Sequence, residues 1–459
     1  MSEKNGKRVA FHNLGCKVNG YEAEIMLQSF REKGYEIVTF EQKADIYVVN
    51  TCTVTRIADK KSRQMLHRAR RLNPDAVVVA AGCFVETGSA ALAGDTPVDL
   101  AVGNLQKARI AEIVEEYLTH GKKTETRRMP LEEITYETAG ETGLTKEPFS
   151  RTRAWIKVQD GCNQFCTYCV IPYARGRARS RDAADIEAEV SRLAAQGVRE
   201  IVLTGIHLSS YGAKENANTF DGRPLIRLIE RLSPIDGIAR IRLGSLEPRL
   251  ITEEIARAFA ALSDPAQGGK LCPHFHLSLQ SGCDETLRRM NRHYTVKQYA
   301  RSVEFLRNCI DRPAITTDII TGFPGETEEE FLATRQFLQA LGLYEMHVFP
   351  YSRREGTIAC SMPGQCTRAV KESRSADLLS MTASQARAYR ALFIGERLKI
   401  LWEDDETVDG IRYLTGHTER YVRAAVPYDA FISDGNPAGT VTEGVAERFL
   451  TDEILLIKS

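Results

Sequence analysis

At 459 residues the chain exceeds what one hydrophobic core usually supports, so length alone predicts roughly two to four domains. Lys plus Arg and Asp plus Glu both number 61, a formal net charge of zero that excludes a globally basic nucleic-acid binder and leaves any RNA affinity to local patches. Eleven cysteines, with no N-terminal apolar leader and no apolar run of membrane-spanning length, predict a cytoplasmic protein without a membrane partner, its thiols serving as ligands or core residues rather than disulfides.

The first segment alternates strand and helix patterns: RVAFHNLG at 8–15, a helical stretch near 19–33, DIYVVN at 45–50, a charged helix near 55–72 and AVVVAAG at 76–82. Short apolar, β-branched runs separated by helices read as a parallel α/β sheet covered on both faces. Cys16, Cys52 and Cys83 each follow one of these strands, at the carboxyl edge where open α/β sheets bind ligands. A lone cysteine reads best as a small buried hydrophobe, whereas three at one sheet edge read as a ligand set. The charged helix carries Lys60, Lys61, Arg63, Arg68, Arg70 and Arg71, either a solvated face or an RNA contact. A polar stretch at about 121–150, with Glu132, Glu133, Glu137 and Glu141, reads as a linker, placing domain boundaries at 1–125, 126–150 and 151 onward.

Strand patterns return at 154–160, 200–205, 239–245, 274–280, 314–322 and 344–351, with helical segments between them. Six such units over 151–385 predict a complete or partial (β/α)6 barrel with its chemistry at the carboxyl ends of the strands. From 386 to 459 short strands and turns predict a small antiparallel β-barrel. That tail holds nine Lys and Arg against thirteen Asp and Glu, so it binds RNA only through a patch, if at all.

The run CNQFCTYC places Cys162, Cys166 and Cys169 directly after the first barrel strand. Three thiolates hold a four-iron cluster by three corners and leave one iron open, while a structural zinc site needs a fourth ligand that is not close by in sequence. Two three-cysteine sets therefore imply two open irons. Gly205, Ser245, Glu247, Gln280 and Asp318 fall at or just beyond carboxyl ends of barrel strands, where they either meet a ligand or make ordinary rim hydrogen bonds. Tyr168 reads as packing over the cluster. Arg175, Arg177, Arg179 and Arg181 follow the cluster loop, and arginine suits phosphate, so this run is an RNA-binding candidate against a merely solvated face. His207 and His276 read as satisfied rim or core histidines. Cys272, Cys283, Cys309, Cys360 and Cys366 fit no ligand pattern.

CNQFCTYC, together with LTGIHLSSYG (203–212), RLGSLEP (242–248), HLSLQSGCDETLRRMNRHYT (276–295) and TDIITGFPGETEEEF (317–331), resembles the radical S-adenosylmethionine (SAM) signature set. With NLGCKVNGYEAE (13–24), VVNTCTVTRIADKKSRQ (48–64) and AAGC (80–83), nearly the whole chain is similar to the radical-SAM methylthiotransferases. GCKVN, NTCTVT and FPYSRREGT (349–357) are most similar to the MtaB-type branch, which methylthiolates carbon 2 of N6-threonylcarbamoyladenosine (t6A) beside the anticodon of tRNA. The resemblance implies an N-terminal domain with an auxiliary [4Fe-4S] cluster on Cys16, Cys52 and Cys83, a barrel with a second [4Fe-4S] cluster on Cys162, Cys166 and Cys169, and a C-terminal TRAM domain. It implies SAM binding near Tyr168, Gly205, Ser245, Glu247, Gln280 and Asp318, the anticodon stem-loop as substrate, a flavodoxin- or ferredoxin-like electron donor, and a sulfur source. Methylthiolation of isopentenyladenosine or of a ribosomal-protein aspartate, and a non-catalytic iron-sulfur RNA-binding module, are the alternatives.

Overall fold

The computed structural model describes residues 6–87, 96–120, 125–127 (backbone only), 152–213, 220–430 and 437–458. The N-terminal sheet comprises β1 (Arg8–Asn13), β2 (Glu36–Val38), β3 (Ile46–Thr51), β4 (Val77–Gly82), β5 (Leu100–Val102) and β6 (Glu125–Arg127). Its order is β2-β1-β3-β4-β5-β6 and every pairing is parallel. The uninterrupted apolar runs follow from burial of both faces. Val9, Val48 and Val79 pack against Met26, Phe30 and Val114 of helices Lys17–Glu32 and Ile110–His120, while Tyr47, Val49 and Val78 pack against Leu66 and Ala69 of helix Arg56–Leu72. The strands β2, β5 and β6 were not anticipated, because three residues are too short to carry a periodic signal. The linker expected at 126–150 begins inside β6, and its glutamates, from Glu132 to Glu141, lie outside the described residues.

The central unit contains β7 (Arg153–Asp160), β8 (Arg179–Ser180), β9 (Glu200–Gly205), β10 (Arg240–Leu243), β11 (Ser245–Leu246), β12 (His274–Leu277), β13 (Ala314–Thr321) and β14 (Glu345–Pro350). Two four-stranded sheets, β10-β9-β7-β8 and β11-β12-β13-β14, join because β10 and β11 are one path broken at Gly244, whose amide donates to Leu203 O at 2.8 Å. Six parallel strand paths result, an incomplete (β/α)6 barrel. Ile156, Ile201, Ile241, Phe275, Leu277, Ile315 and Ile319 point outward into the helix layer. The alternate residues, including Trp155, Thr204, Arg242, His276 and Asp318, therefore line the lumen. Helix Lys17–Glu32 of the first domain packs on β7: a Cβ on Gly20 would lie 2.2 Å from the Trp155 ring.

Helix Arg368–Ala391 leads into β15 (Arg397–Val408), β16 (Ile411–Thr418), β17 (Arg423–Pro427), β18 (Val441–Thr451) and β19 (Ile454–Lys458), a closed barrel ordered β15-β16-β17-β19-β18. The small antiparallel barrel expected from the sequence is present, with one pair, β17 and β19, running in parallel. The reason is topological: a ring of five strands cannot alternate direction throughout, so one neighbouring pair must run the same way. This barrel plugs the amino end of the central one. Arg240 donates to His417 O and Lys399 O at 2.8 and 2.7 Å, Arg242 donates to Glu419 O at 2.9 Å, and the Tyr421 ring stacks on His274 at 5.2 Å. Among the described residues no helix is long and apolar enough to cross a membrane.

Candidate metal centres

Parallel pairing of β1, β3 and β4 sets their carboxyl ends side by side, which brings together three cysteines far apart in sequence. Cys16 precedes helix Lys17–Glu32, Cys52 follows β3, and Cys83 opens helix Cys83–Thr87. Cys52 and Cys83 are buried and Cys16 is exposed. Gly15 turns at φ +113°, and a Cβ there would stand 3.1 Å from Cys52 Sγ, so the turn needs glycine on both conformational and steric grounds. Asn104 Nδ2 donates to Cys83 Sγ at 3.5 Å. Burial, with the neighbouring Cys83 and Cys16 contributing, pushes the Cys52 thiol up.

The second set occupies the loop after β7. Burial raises the Cys162 thiol to about 12 and the Cys169 thiol further, so ionising either requires a strong local positive charge of the kind a metal ion supplies. Arg292 donates to Cys166 Sγ at 3.3 Å and Gln164 N to Cys162 Sγ at 3.5 Å. Asn291 holds the loop by donating to Gln164 O and Phe165 O at 3.3 and 3.0 Å. Phe165, Gln280 and Asn291 all have positive φ, a concentration of strained backbone at one site. A cavity of about 150 Å³ is lined by the three cysteines with Tyr168, Ser245, Glu247, Gln280, His207, Ser278 and Arg292. Burial alone would raise the Glu247 carboxyl; hydrogen bonds from His207 and Arg249 outweigh it and hold the group at about 2.

Among the described residues His276, Asp318 and His347 each bring one ligand atom within 4.8 Å of the others.

The two centres are structurally joined. Helix Cys83–Thr87 packs against helix Ile171–Arg175, and Asn104 Nδ2 reaches both Cys83 Sγ and Ala174 O, the latter at 2.9 Å. Arg175 is 1% exposed and donates to Asn19 and Glu22 of the first domain, each at 2.7 Å, and to Asp160 at 3.2 Å. This corrects the reading of the arginine run as an RNA surface. Arg175 and Arg181 are buried, Arg181 pairing with Glu189 at 2.7 Å, and Arg179 pairs with Asp160 at 2.8 Å. Only Arg177 of the four is exposed, its guanidinium 4.7 Å from the Phe165 ring centroid. The carboxylates that satisfy the others come from distant segments, which the linear run cannot reveal.

Of the remaining candidates, Gly205 abuts Gln159 and leaves the cavity lining to Ile206 and His207. Asp318 stands in the lumen with His276 at 3.3 Å, and His276 also meets Thr316 Oγ1 at 3.0 Å and stacks on His347. His207 is hydrogen-bonded as expected, to Ser210 and Glu247, yet it also faces the cavity. Arg292 was missed; its signal was the RMNRHYT segment, whose arginine has no helical or strand face of its own. Cys272 and Cys283 are buried apart from both trios.

Residues 156–338 match the Radical SAM superfamily, and residues 8–103 match Uncharacterized protein family UPF0004. The chain is 38% identical to the threonylcarbamoyladenosine tRNA methylthiotransferase MtaB of Bacillus subtilis (strain 168), over 90% of this chain and 89% of that protein, and 38% identical to MtaB of Aquifex aeolicus (strain VF5), over 90% and 97%. It is 34% identical to the tRNA-2-methylthio-N(6)-dimethylallyladenosine synthase of Methylacidiphilum infernorum (isolate V4), over 88% and 86%. In fold it is similar to the radical S-adenosylmethionine methyltransferase TsrM from Kitasatospora setae, with a TM-score of 0.56 and 17% identity over 77% of this chain and 74% of that one.

Proposed function

The chain belongs to the radical-SAM methylthiotransferases, enzymes that use SAM and [4Fe-4S] clusters, and we propose that its substrate is t6A beside the anticodon of tRNA, methylthiolated at carbon 2. The observation that carries the reading is the pair of three-cysteine sets joined through Arg175 and Asn104 at one end of a barrel. A hydrogen on an aromatic purine carbon has no usable acidity, so a general base cannot open that position. When bound, the cluster on Cys162, Cys166 and Cys169 supplies the electron that opens the SAM sulfonium to a carbon radical, and the cluster on Cys16, Cys52 and Cys83 supplies the sulfur. A flavodoxin- or ferredoxin-like donor and a sulfur source are the partners this chemistry requires.

The chain's own groups orient and insulate. Ser245, Glu247 and Gln280 present polar atoms to the cavity for the amino-acid and ribose parts of SAM. Arg292 donates to Cys166 Sγ and holds that side chain in place, and Tyr168, packed edge-on to Phe323, closes one wall against water. Glu247 is engaged by Arg249 and His207, which makes it a binding group rather than a base. For t6A over dimethylallyladenosine, the support is the polar lumen. His276, Asp318, His347 and Thr316 offer hydrogen bonds to a substituent carrying a urea, a hydroxyl and a carboxylate, and little to a branched hydrocarbon.

The test uses the anaerobically reconstituted enzyme with tRNA carrying t6A or isopentenyladenosine, nucleosides being read by mass spectrometry. Wild type is expected to methylthiolate t6A preferentially. Replacing Cys16, Cys52 and Cys83 together by Ala is expected to remove about four irons per chain and all methylthio product while reductive SAM cleavage continues. Product from the triple variant rejects the sulfur-carrier role, and preference for isopentenyladenosine rejects the t6A substrate.

A further inference from the structure

On the outer side of the first domain, helix Arg56–Leu72 docks its first turn on the loop after β14: Arg56 N–H donates to Ser352 Oγ at 3.2 Å, and buried Arg354 crosses to Asp59 and Thr53. Between them lies a cavity of about 400 Å³ lined by Arg56, Arg63, Arg353 and Arg354 against two carboxylates, Asp59 and Glu355. A second, more open cavity of about 450 Å³ shares Arg56, Asp59 and Arg63 and continues past Lys60.

The basic residues of this helix divide into two groups. Arg68 and Arg70, in its later turns, are paired with Glu41 at 3.3 Å and Asp99 at 2.5 Å. Arg56, Lys60 and Arg63, in its first turns, are exposed and have no carboxylate partner among the described residues, and Asp59, which lines the same cavity, is paired with Arg354. At i, i+4 and i+7 these three share one face, about one turn of 5.4 Å apart, a spacing comparable to that of successive phosphates along a strand. Ile57 and Val54, 67% and 52% exposed, sit on the same edge and offer apolar contact to bases or ribose. Phe84, the residue after Cys83, forms the floor of the cavity beneath the Arg63 guanidinium, 5.5 Å from its ring centroid.

We propose that this cleft is the RNA backbone site: Arg56, Lys60 and Arg63, with Arg353 across the cleft, bind consecutive phosphates of the substrate and lead the strand toward the Cys83 centre. The proposal rests on the tRNA reading above and adds the surface that engages it; of the arginine run after the cluster loop, Arg177 alone is exposed. Arginine forks suit phosphate oxygens, and a cleft with four arginines against two carboxylates, one of them already paired with Arg354, favours an anion from outside the chain.

The experiment measures binding of unmodified full-length tRNA between about 50 and 200 mM KCl. The variant is Arg56→Ala/Lys60→Ala/Arg63→Ala, and Arg70→Ala, already paired, is the same-helix control. Each phosphate contact contributes a slope of about 0.7 to 0.9 in log affinity against log salt, so the triple variant is expected to lose about two to three units of slope and at least tenfold in affinity, with an unchanged thermal midpoint. Arg70→Ala is expected to match wild type in slope. Steep tRNA binding by wild type with an unchanged slope in the triple variant overturns the cleft alone. Absence of salt-dependent tRNA binding by wild type overturns both the cleft and the tRNA reading. Normal tRNA binding by the variant with slowed reduction by flavodoxin would assign the cleft to an acidic protein instead and overturn the proposal.

Discussion

Arg175 shows how much one side chain settles. Its guanidinium joins Glu22 and Asp160, which also receive Lys107, Lys157 and Arg179 at 2.6 to 3.1 Å, so four cations surround two buried carboxylates. Burial would raise Glu22, but Arg175, Lys107 and Lys157 prevail and hold it well below the ordinary carboxylate range. The Arg175 guanidinium is also within electrostatic reach of Cys83. Glu22 and Asp160 keep Lys107, Lys157 and Arg179 without it, but Arg175→Ala takes the buried fork away from Asn19, Glu22 and Asp160 and is expected to cost about 3 kcal/mol in thermal or denaturant unfolding. Arg175→Lys keeps the charge but not the fork, and is expected to fall between the two. An Ala variant as stable as wild type would refute the network's role in joining the domains.

At the scale of elements, the first domain meets the barrel through helix Lys17–Glu32 on β7, and Gly20 marks the closest approach. Glycine to alanine inside a helix ordinarily gains about 1 kcal/mol. Here the added Cβ would meet Trp155 ring atoms at 2.2 and 2.6 Å, so the helix must move off the strand, and overpacking of this kind costs about 1 to 3 kcal/mol. The larger effect decides the sign. Gly20→Ala is expected to lower the denaturant midpoint, and a Trp155→Leu background to restore the ordinary gain. A stabilised single variant would show that this contact yields readily.

Over the whole molecule, titrating groups concentrate where the three units meet. Buried Glu200 lies among Arg242, Arg153 and Arg240 at the floor formed by the C-terminal barrel, and these arginines outweigh burial and hold its carboxyl far down. Glu403 of the C-terminal barrel is likewise lowered, by His417 and Arg153 against burial. His274, buried near Arg242, Lys17 and His276, is held neutral, its affinity for a proton well below normal. The folded His274 resists protonation while the unfolded one binds a proton below about 6.5, so its contribution to stability is full above that pH and falls as pH drops. The depressed carboxylates contribute fully above about 4.5 and lose that contribution progressively below it. Unfolding free energy is therefore expected to be governed by His274 first, at up to about 1.4 kcal/mol per pH unit, and by the carboxylates at lower pH. In denaturant titrations across pH, His274→Gln should flatten the interval between about 6.5 and 4.5. A slope unchanged in the variant would assign that interval to other groups.

Much of this was legible in the chain itself. The apolar β-branched runs specified the parallel sheet and the barrel strands, because each strand is buried on at least one face and carries its own periodicity. The compact spacing of Cys162, Cys166 and Cys169 keeps them on one loop, and Cys16, Cys52 and Cys83 share a position after strands that parallel pairing sets side by side. What depended on the tertiary structure was the company each side chain keeps. The arginines at 175, 179 and 181 read as a phosphate-binding run until Glu22, Asp160 and Glu189, up to 153 residues away, proved to claim them. The polar trio of His276, Asp318 and His347 and the cleft between helix Arg56–Leu72 and the loop after β14 likewise exist only once three strands, or two domains, are set side by side. Periodicity is a property of neighbours along the chain, whereas charge compensation and ligand geometry are properties of neighbours in space.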